Sequence, residues 1–466
     1  MKKTARIISA ILIVFAFVSC SSKNYNEEMK ISEETFYKGK YLEAARLLLP
    51  NINKAGKDEL LFMMEAGLML HTGEDYKTSN KILLQAGKIA QLMPISVTQQ
   101  VASLLSNDTG SNYRGEDFEK VLIHVYLGIN FLMLGEYDSA RVEFMAVNNE
   151  LSKIKSENGE ARYKQNLMAK YLTAIAFEIV GERDNDTRDI EFAYIEYKQV
   201  YNLDPNLAMV KDDLLRVSSR LGYDDDYQDW KNKFKKSYSA DAESGELVTI
   251  FQAGRSAIKK SRGPLLKDPD MGPVIRLTIN TSNLTAGLTA AAILVTLNNA
   301  ENPIPKFQKR SNKVDRIRVE AGGKNLTTTM LEDVETTAVK NLEDDYGRLY
   351  AKVAASIATK TIATLAAGIA AKKIAEQFKQ TKGLAGLIGT AVGAGAGTVM
   401  FSSMKPDLRC WHTLPANFQL GRMNLKPGKH NVSFAFIGAG GIIDRQEKEV
   451  EIKKGEKKVV NLRTLY

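Results

Sequence analysis

The sequence predicts an α+β protein in which an N-terminal α-solenoid of helix pairs precedes a C-terminal α/β module with an antiparallel β-sheet and an Ala/Gly-rich helical hairpin. Three observations predict it. From about Tyr25 to Tyr238 apolar residues recur at helical spacing with few prolines, and one pattern of small and large residues repeats within that stretch. Past a polar linker around Ser237 to Glu246 the period changes to the alternation of strands. A chain of 466 residues is too long for one compact core and suggests two or three units.

The chain opens with Lys2, Lys3 and Arg6, then an apolar run from Ile7 to Val18, then Ser19-Cys20. Residues 1–19 read as a secretory signal peptide, because the apolar run falls short of the roughly 20 residues that a spanning helix needs. Phe17-Val18-Ser19-Cys20 resembles a lipobox, with Phe17 where leucine is more usual. That resemblance implies that Cys20 becomes the first residue of the mature protein, carrying a diacylglyceryl thioether and an amide-linked acyl chain, with residues 20–24 as tether. Ser21, in place of an aspartate, resembles the sorting pattern of outer-membrane lipoproteins, so a periplasm-facing, lipid-anchored location is expected. The formal charge of +9 falls to +6 without Lys2, Lys3 and Arg6. No basic helix interleaved with aromatics stands out, which argues against nucleic acid as a partner. Cys410 is the other cysteine, so lipidation of Cys20 would leave no internal disulfide, and Cys410 is expected to be buried.

Between residues 25 and 238 the clearest repeat holds Leu127, Gly128, Phe131, Gly135, Tyr137, Ala140 and Phe144, the offsets of a tetratricopeptide (TPR) helix pair. Small Gly128 and Ala140 would let two helices approach, Gly135 would form the turn, and the aromatic residues would fill the space between pairs. Gly67, Leu70, Tyr76, Ser79, Leu83 and Ala86 form a second copy, and Gly39, Tyr41, Ala44 and Leu48 the second helix of an earlier one. Ala174, Phe177, Gly181, Ala193, Tyr197, Val200 and Pro205 form a fourth, with a polar insertion expected around Glu182 to Arg188. A degenerate pair near Leu215 to Phe234 reads as a terminal cap. Such repeats must stack to bury their faces.

Residues 239–466 read as the second unit. Alternation predicts strands at Leu247 to Phe251, Val274 to Ile279, Ile293 to Leu297 and Ile317 to Val319. It predicts four more at Phe418 to Met423, Asn431 to Phe436, Gln446 to Ile452 and Lys457 to Leu462. Pro427-Gly428 and Lys454-Gly455 mark turns between the last of these. Residues 331–404 read as an Ala/Gly-rich helical segment, and 409–466 as β-rich. Gly389, Gly393 and Gly397, on the uncharged run Leu384 to Met404, fall on one helix face. They suit either a hairpin buried in the protein or a membrane-inserting or self-associating segment.

Arg255, Lys259, Lys260, Arg262 and Lys267, like the basic stretch Lys306 to Arg318, read as solvated surface or as a contact for anionic lipid or glycan. His71, His124, His412 and His430 lie far apart, and no metal-ligand pair, nucleophile elbow or phosphate loop is present. No catalytic residue, metal or cofactor is expected, and the reading is of a binding protein.

Two stretches carry a further resemblance. Tyr113-Arg114-Gly115-Glu116-Asp117-Phe118-Glu119, leading into His124, Tyr126 and Asn130, is one; Arg409-Cys410-Trp411-His412-Thr413-Leu414-Pro415-Ala416 followed by Phe418-Gln419-Leu420 is the other. Together they resemble the signatures of a family of uncharacterised bacterial tetratricopeptide-containing outer-membrane lipoproteins. Asp407-Leu408-Arg409-Cys410-Trp411 departs at two positions from that family's Asp-Thr-Arg-Ser-Trp. The resemblance implies work in the cell envelope, because such genes often lie near that of a lipoprotein activator of a peptidoglycan synthase. Independently of the family, the solenoid's concave surface is expected to bind a helix or extended peptide of an envelope protein, the lipid to hold the membrane, and the run Leu384 to Met404 to support a homo-oligomer as the alternative. On the residues alone, Gly115 to Glu119 would start a helix and Trp411 and Leu414 would anchor the last sheet.

Overall fold

The computed structural model describes residues 25–92, 112–153, 166–239, 243–273, 275–276, 297, 300–344, 346–377, 401 and 404–466. Cys20 and the run 384–400 lie outside them. Among these residues five helix pairs make the N-terminal half: α1 (Tyr25–Tyr37) with α2 (Tyr41–Ile52), α3 (Glu59–Thr72) with α4 (Tyr76–Leu92), and α5 (Asp117–Leu134) with α6 (Tyr137–Lys153). They continue with α7 (Leu167–Asp184) and α8 (Thr187–Leu203), then α9 (Ala208–Leu221) and α10 (Asp224–Phe234).

Close approach within a pair rests on missing side chains. A Cβ on Gly67 would lie 2.5 Å from Leu83, and one on Gly128 2.4 Å from Phe144. Ala140, Phe144, Ala193 and Tyr197 are fully buried, Leu127 and Tyr76 nearly so, while Phe131 and Tyr137 pack half-buried against the same core. Gly135 caps α5 in the left-handed region at φ 76°, and Asn185 does the same for α7 at φ 52°. The polar stretch 182–188 is therefore no insertion: it is the end of α7, a tight turn and the start of α8. Pro205 is exposed in the turn after α8, so it stops a helix and packs nothing. Nothing on α10 is buried, as suits the outer end of a stack.

The C-terminal half contains β1 (Gly245–Ala253), β2 (Ile258–Ser261), β3 (Pro305–Gln308), β4 (Arg316–Ala321), β5 (Lys324–Thr327) and β6 (Thr329–Asp333). Helices α11 (Val334–Glu343) and α12 (Tyr346–Glu376) follow, then β7 (Asn417–Leu425), β8 (Gly428–Gly438), β9 (Gly441–Ile452) and β10 (Lys457–Arg463). They form two four-stranded sheets, ordered β10-β1-β7-β6 and β5-β4-β8-β9, and a ribbon of β2 and β3. The expected antiparallel sheet is corrected in one respect. Strand β1 pairs parallel with β10, so the first sheet is mixed and only the second is wholly antiparallel.

Two further expectations change. Residues 271–273 and 275–276 are helical, where a strand was expected from Val274. Residues 331–333 end strand β6, so helix begins only at Val334. Of the expected helical hairpin, α12 is described, and the run that would form a second arm lies outside the described residues apart from Phe401 and Met404, which pack with Val353 and Ile357. No helix among the described residues is long and apolar enough to cross a membrane.

The two sheets pack face to face. Leu247 and Phe251 of β1 meet Ile317, Val319, Phe434 and Phe436 of the second sheet, with the rings of Phe251 and Phe436 5.9 Å apart. Side chains alternate along a strand, so Val248 and Ile250 of β1 and Phe418 and Leu420 of β7 point the other way. They are equally buried, in one core with the solenoid. The first sheet is thus covered on one face by the second sheet and on the other by helices, which explains why β1 is apolar without interruption.

Candidate functional site

The helices that cover the first sheet are the first members of the pairs. Helices α3 and α7 are buried almost end to end on every side, and α5 nearly so, because second helices flank them and the sheet closes the remaining face. The face on which a repeat protein would be expected to take a peptide is filled by this chain's own C-terminal module. Three polar clusters line that seam.

In the first cluster the two motifs meet. Glu116 is the N-cap of α5 and exchanges capping-box hydrogen bonds with Glu119, while Gly115 turns the chain at φ 73°. The backbone N–H of Trp411 donates to Glu119 Oε1 at 2.7 Å, and the Tyr113 hydroxyl donates to Oε2. The Arg409 guanidinium lies 5.3 Å from the Tyr113 ring, donates to Asp58 at 2.6 Å and pairs with Asp407. Trp411 packs its ring 5.6 Å from Tyr126, and Leu414 and Pro415 are buried beside it. Next along the loop, Glu65 of α3 accepts from the N–H of His412 at 2.6 Å and from the Thr413 hydroxyl at 2.5 Å. Arg114 is half-buried and Asp117 buried at the start of α5. Burial pushes the Glu119 carboxyl up to about 7.

The second cluster crosses from helix to strand through neutral groups. His71 Nδ1 lies 2.5 Å from Asn130 Oδ1, while Nε2 faces the side-chain amides of Gln252 on β1 and Asn461 on β10 at 2.7 and 3.1 Å. Two amide donors on Nε2 leave the proton on Nδ1, and burial lowers the imidazole to about 4, so His71 is neutral. Tyr126 donates to Gln252 Oε1 at 3.0 Å.

The third cluster is ionic. Arg422 of β7 forks onto Glu246 of β1 at 2.7 and 2.6 Å and reaches Asp213 of α9 at 2.6 Å. Arg216 joins Asp213 at 2.7 Å and Glu178, and Lys457 of β10 holds Glu182 at 2.7 Å and Glu178 at 3.2 Å. Tyr197 donates to Glu178 at 2.8 Å. Burial raises Asp213 to about 6. Burial also opposes the charge on Glu246, but the Arg422 guanidinium outweighs it and holds that carboxyl at about 2.

The same contacts divide the basic run at 255–267, in which Lys260 and Lys267 are exposed as solvated surface would be. Lys259 is buried and paired with Glu116, and Arg262 is tied to Asp268 at 2.8 Å, so neither is open to an anionic surface. Arg310 is also committed, donating to the carbonyl of His412 and to Tyr37. Cys410 is buried and free.

Sequence reasoning missed Arg422, Asp213, Glu178, Glu246 and Lys457, each of which looks like an ordinary surface charge. A signal for the seam was present. Glu59 to Thr72 and Leu167 to Val180 are apolar around nearly the whole helix, and a helix apolar on all sides is buried on all sides.

No family model matches the chain, and no curated relative matches it. Solved structures similar to it include a double mutant of MamA from strain RS-1, 16% identical, spanning 44% of this chain and 88% of that one at a TM-score of 0.30. MamA 41-end from Desulfovibrio magneticus RS-1 is 16% identical over 45% and 90% at 0.29. The TPR-like repeats of a kinesin light chain from Podosopora anserina are 11% identical over 45% and 92% at 0.31. Each likeness falls on under half of the chain.

Proposed function

We propose that this protein is an envelope lipoprotein that acts by binding, as a scaffold held on the periplasmic face of the outer membrane through Cys20. The observation that carries this reading is the division between the two sets of helices. First helices are spent on the chain's own sheet, while second helices keep an open side. Arg141 of α6 donates to Asp189 of α8 at 2.9 Å, which sets these two helices side by side. Val142 and Met145 on α6, and Phe192 and Ile195 on α8, are spaced three residues apart and are each at least 44% exposed. An amphipathic helix of an envelope protein is the partner this surface suits, and proteins of the peptidoglycan-synthesis machinery are the first to test.

Metabolic labelling with an alkyne fatty acid tests the anchor: label should be lost in Cys20→Ala, and label retained by that variant sinks the lipidation. A photo-crosslinking residue at Val142 or Phe192 should capture an envelope protein that the same residue at Lys429, on the second sheet, does not. Identical capture from all three positions would count against the second-helix surface. Deleting the solenoid is not a usable control, because it would bare the apolar face of the first sheet.

A further inference from the structure

Strand β4 alternates, sending Ile317 and Val319 into the sandwich and leaving Arg316, Arg318 and Glu320 on the outer face of the second sheet. Its register sets Arg316 beside Ile437, and Ile437 beside Ile442. In the next row Arg318 lies beside Ala435 and Ala435 beside Arg445. Ile442 is 45% exposed, and Ile443, the extra residue of a β-bulge, is 42% exposed. Both follow the glycine turn between β8 and β9. Ile443 Cδ1 and the Lys313 carbonyl both crowd Gly438, so Lys313 borders the isoleucines too. Arg318 and Arg445 share one carboxylate, Glu320, at 2.7 and 3.3 Å, and among the described residues Lys313 and Arg316 have no ion pair. Asp444 sits opposite Phe436 and accepts from the Tyr466 hydroxyl at 3.1 Å. The tip sets two exposed isoleucines among Lys313, Arg316 and Arg445, with the acids Asp315, whose N–H donates to the Ile437 carbonyl, and Asp444 beside them.

We propose that this hairpin tip lies against an anionic bilayer, with Ile442 and Ile443 entering the boundary of headgroups and acyl chains and Arg316, Arg445 and Lys313 meeting lipid phosphates. Exposed aliphatic residues beside basic ones suit an interfacial binder, and each basic residue near such a surface strengthens binding. The biological setting rests on the lipoprotein reading above; the contact itself does not need the lipid.

The test therefore uses the unlipidated chain from Ser21 onward, which keeps every described element. It should co-sediment with phosphatidylglycerol-rich vesicles, release at high salt, and bind phosphatidylcholine vesicles weakly. Arg316→Gln and Arg445→Gln should each lower partitioning about fivefold. Ile442→Ser with Ile443→Ser should lower it at least as far, while Lys429→Gln, at the other end of the same sheet, should not. Unchanged thermal melting shows that the variants fold, since all these side chains are at the surface. Equal binding to both vesicle types, or binding indifferent to the tip substitutions, overturns the proposal. So does a fall in self-association of the isoleucine variant with vesicle binding unchanged, which would make the tip a contact between copies. Failure here leaves the labelling of Cys20 standing, and failure of that labelling leaves this binding standing.

Discussion

Arg422 shows how much of the seam depends on single side chains. Its guanidinium is the cation for Glu246 and Asp213 and lies 3.8 Å from Glu178, all three buried or nearly so. Without Arg422, Asp213 keeps Arg216 and Glu178 keeps Arg216 and Lys457, but Glu246 loses the cation in contact with it, and removing one partner of a buried pair costs about 3–5 kcal/mol. Arg422→Met is expected to lose stability on that scale in urea denaturation. Arg422→Lys should recover only part of it, because an ammonium cannot fork onto both oxygens of Glu246 while reaching Asp213. A loss below about 1 kcal/mol, the range of surface pairs, would mean that the cluster is solvated in solution.

At the scale of elements, the loop 407–416 clasps α3 and α5 through two buried carboxylates, Glu65 and Glu119. Folded Glu119 has its carboxyl raised to about 7 from an ordinary 4.5. A raised acid binds its proton more tightly in the folded state, so its contribution is full below 4.5 and is lost as pH rises through about 7. Unfolding midpoints should therefore fall between pH 5 and 8, by about 1–3 kcal/mol in stability, and Glu119→Gln should flatten that dependence. An identical slope in the variant would assign the effect to other groups. This loop also marks the limit of what the sequence discloses. Repeats were legible because small and large residues recur at fixed offsets, and β1, β4 and β7 to β10 because alternation and the Pro427-Gly428 turn announce them. Strands β2, β3 and β5, four residues each, are too short for a period to emerge, and β6 runs directly into a helix. The two motifs stood out as strings of residues, but nothing local says that Glu119 and Trp411, 292 positions apart, hold one another. Such a bond is a property of the packed sheet and solenoid together.

For the whole molecule, a sheet buried on both faces couples the halves. The solenoid and the face of the first sheet turned toward it share one continuous apolar core, in which Tyr126 touches Trp411 and Phe418. A single cooperative transition is expected in calorimetry, with calorimetric and van't Hoff enthalpies equal. Residues 25–238 and 243–466 expressed apart should aggregate or stay partly unfolded, and should co-purify when expressed together. Two separate transitions, or two stable monomeric halves, would show that the seam contributes little.

The parallel pairing of β1 with β10 also fixes an order of events in time. Its strands are separated by about 210 residues, which at ribosomal rates is a delay of roughly 10–40 s. Through that interval β1 has been made but one of its hydrogen-bonding edges has no strand to meet, and the first helices stand with an apolar side bare. The parallel contact closes a long loop, so its chain entropy is spent before the contact forms, and pairing of this kind is slow to fold.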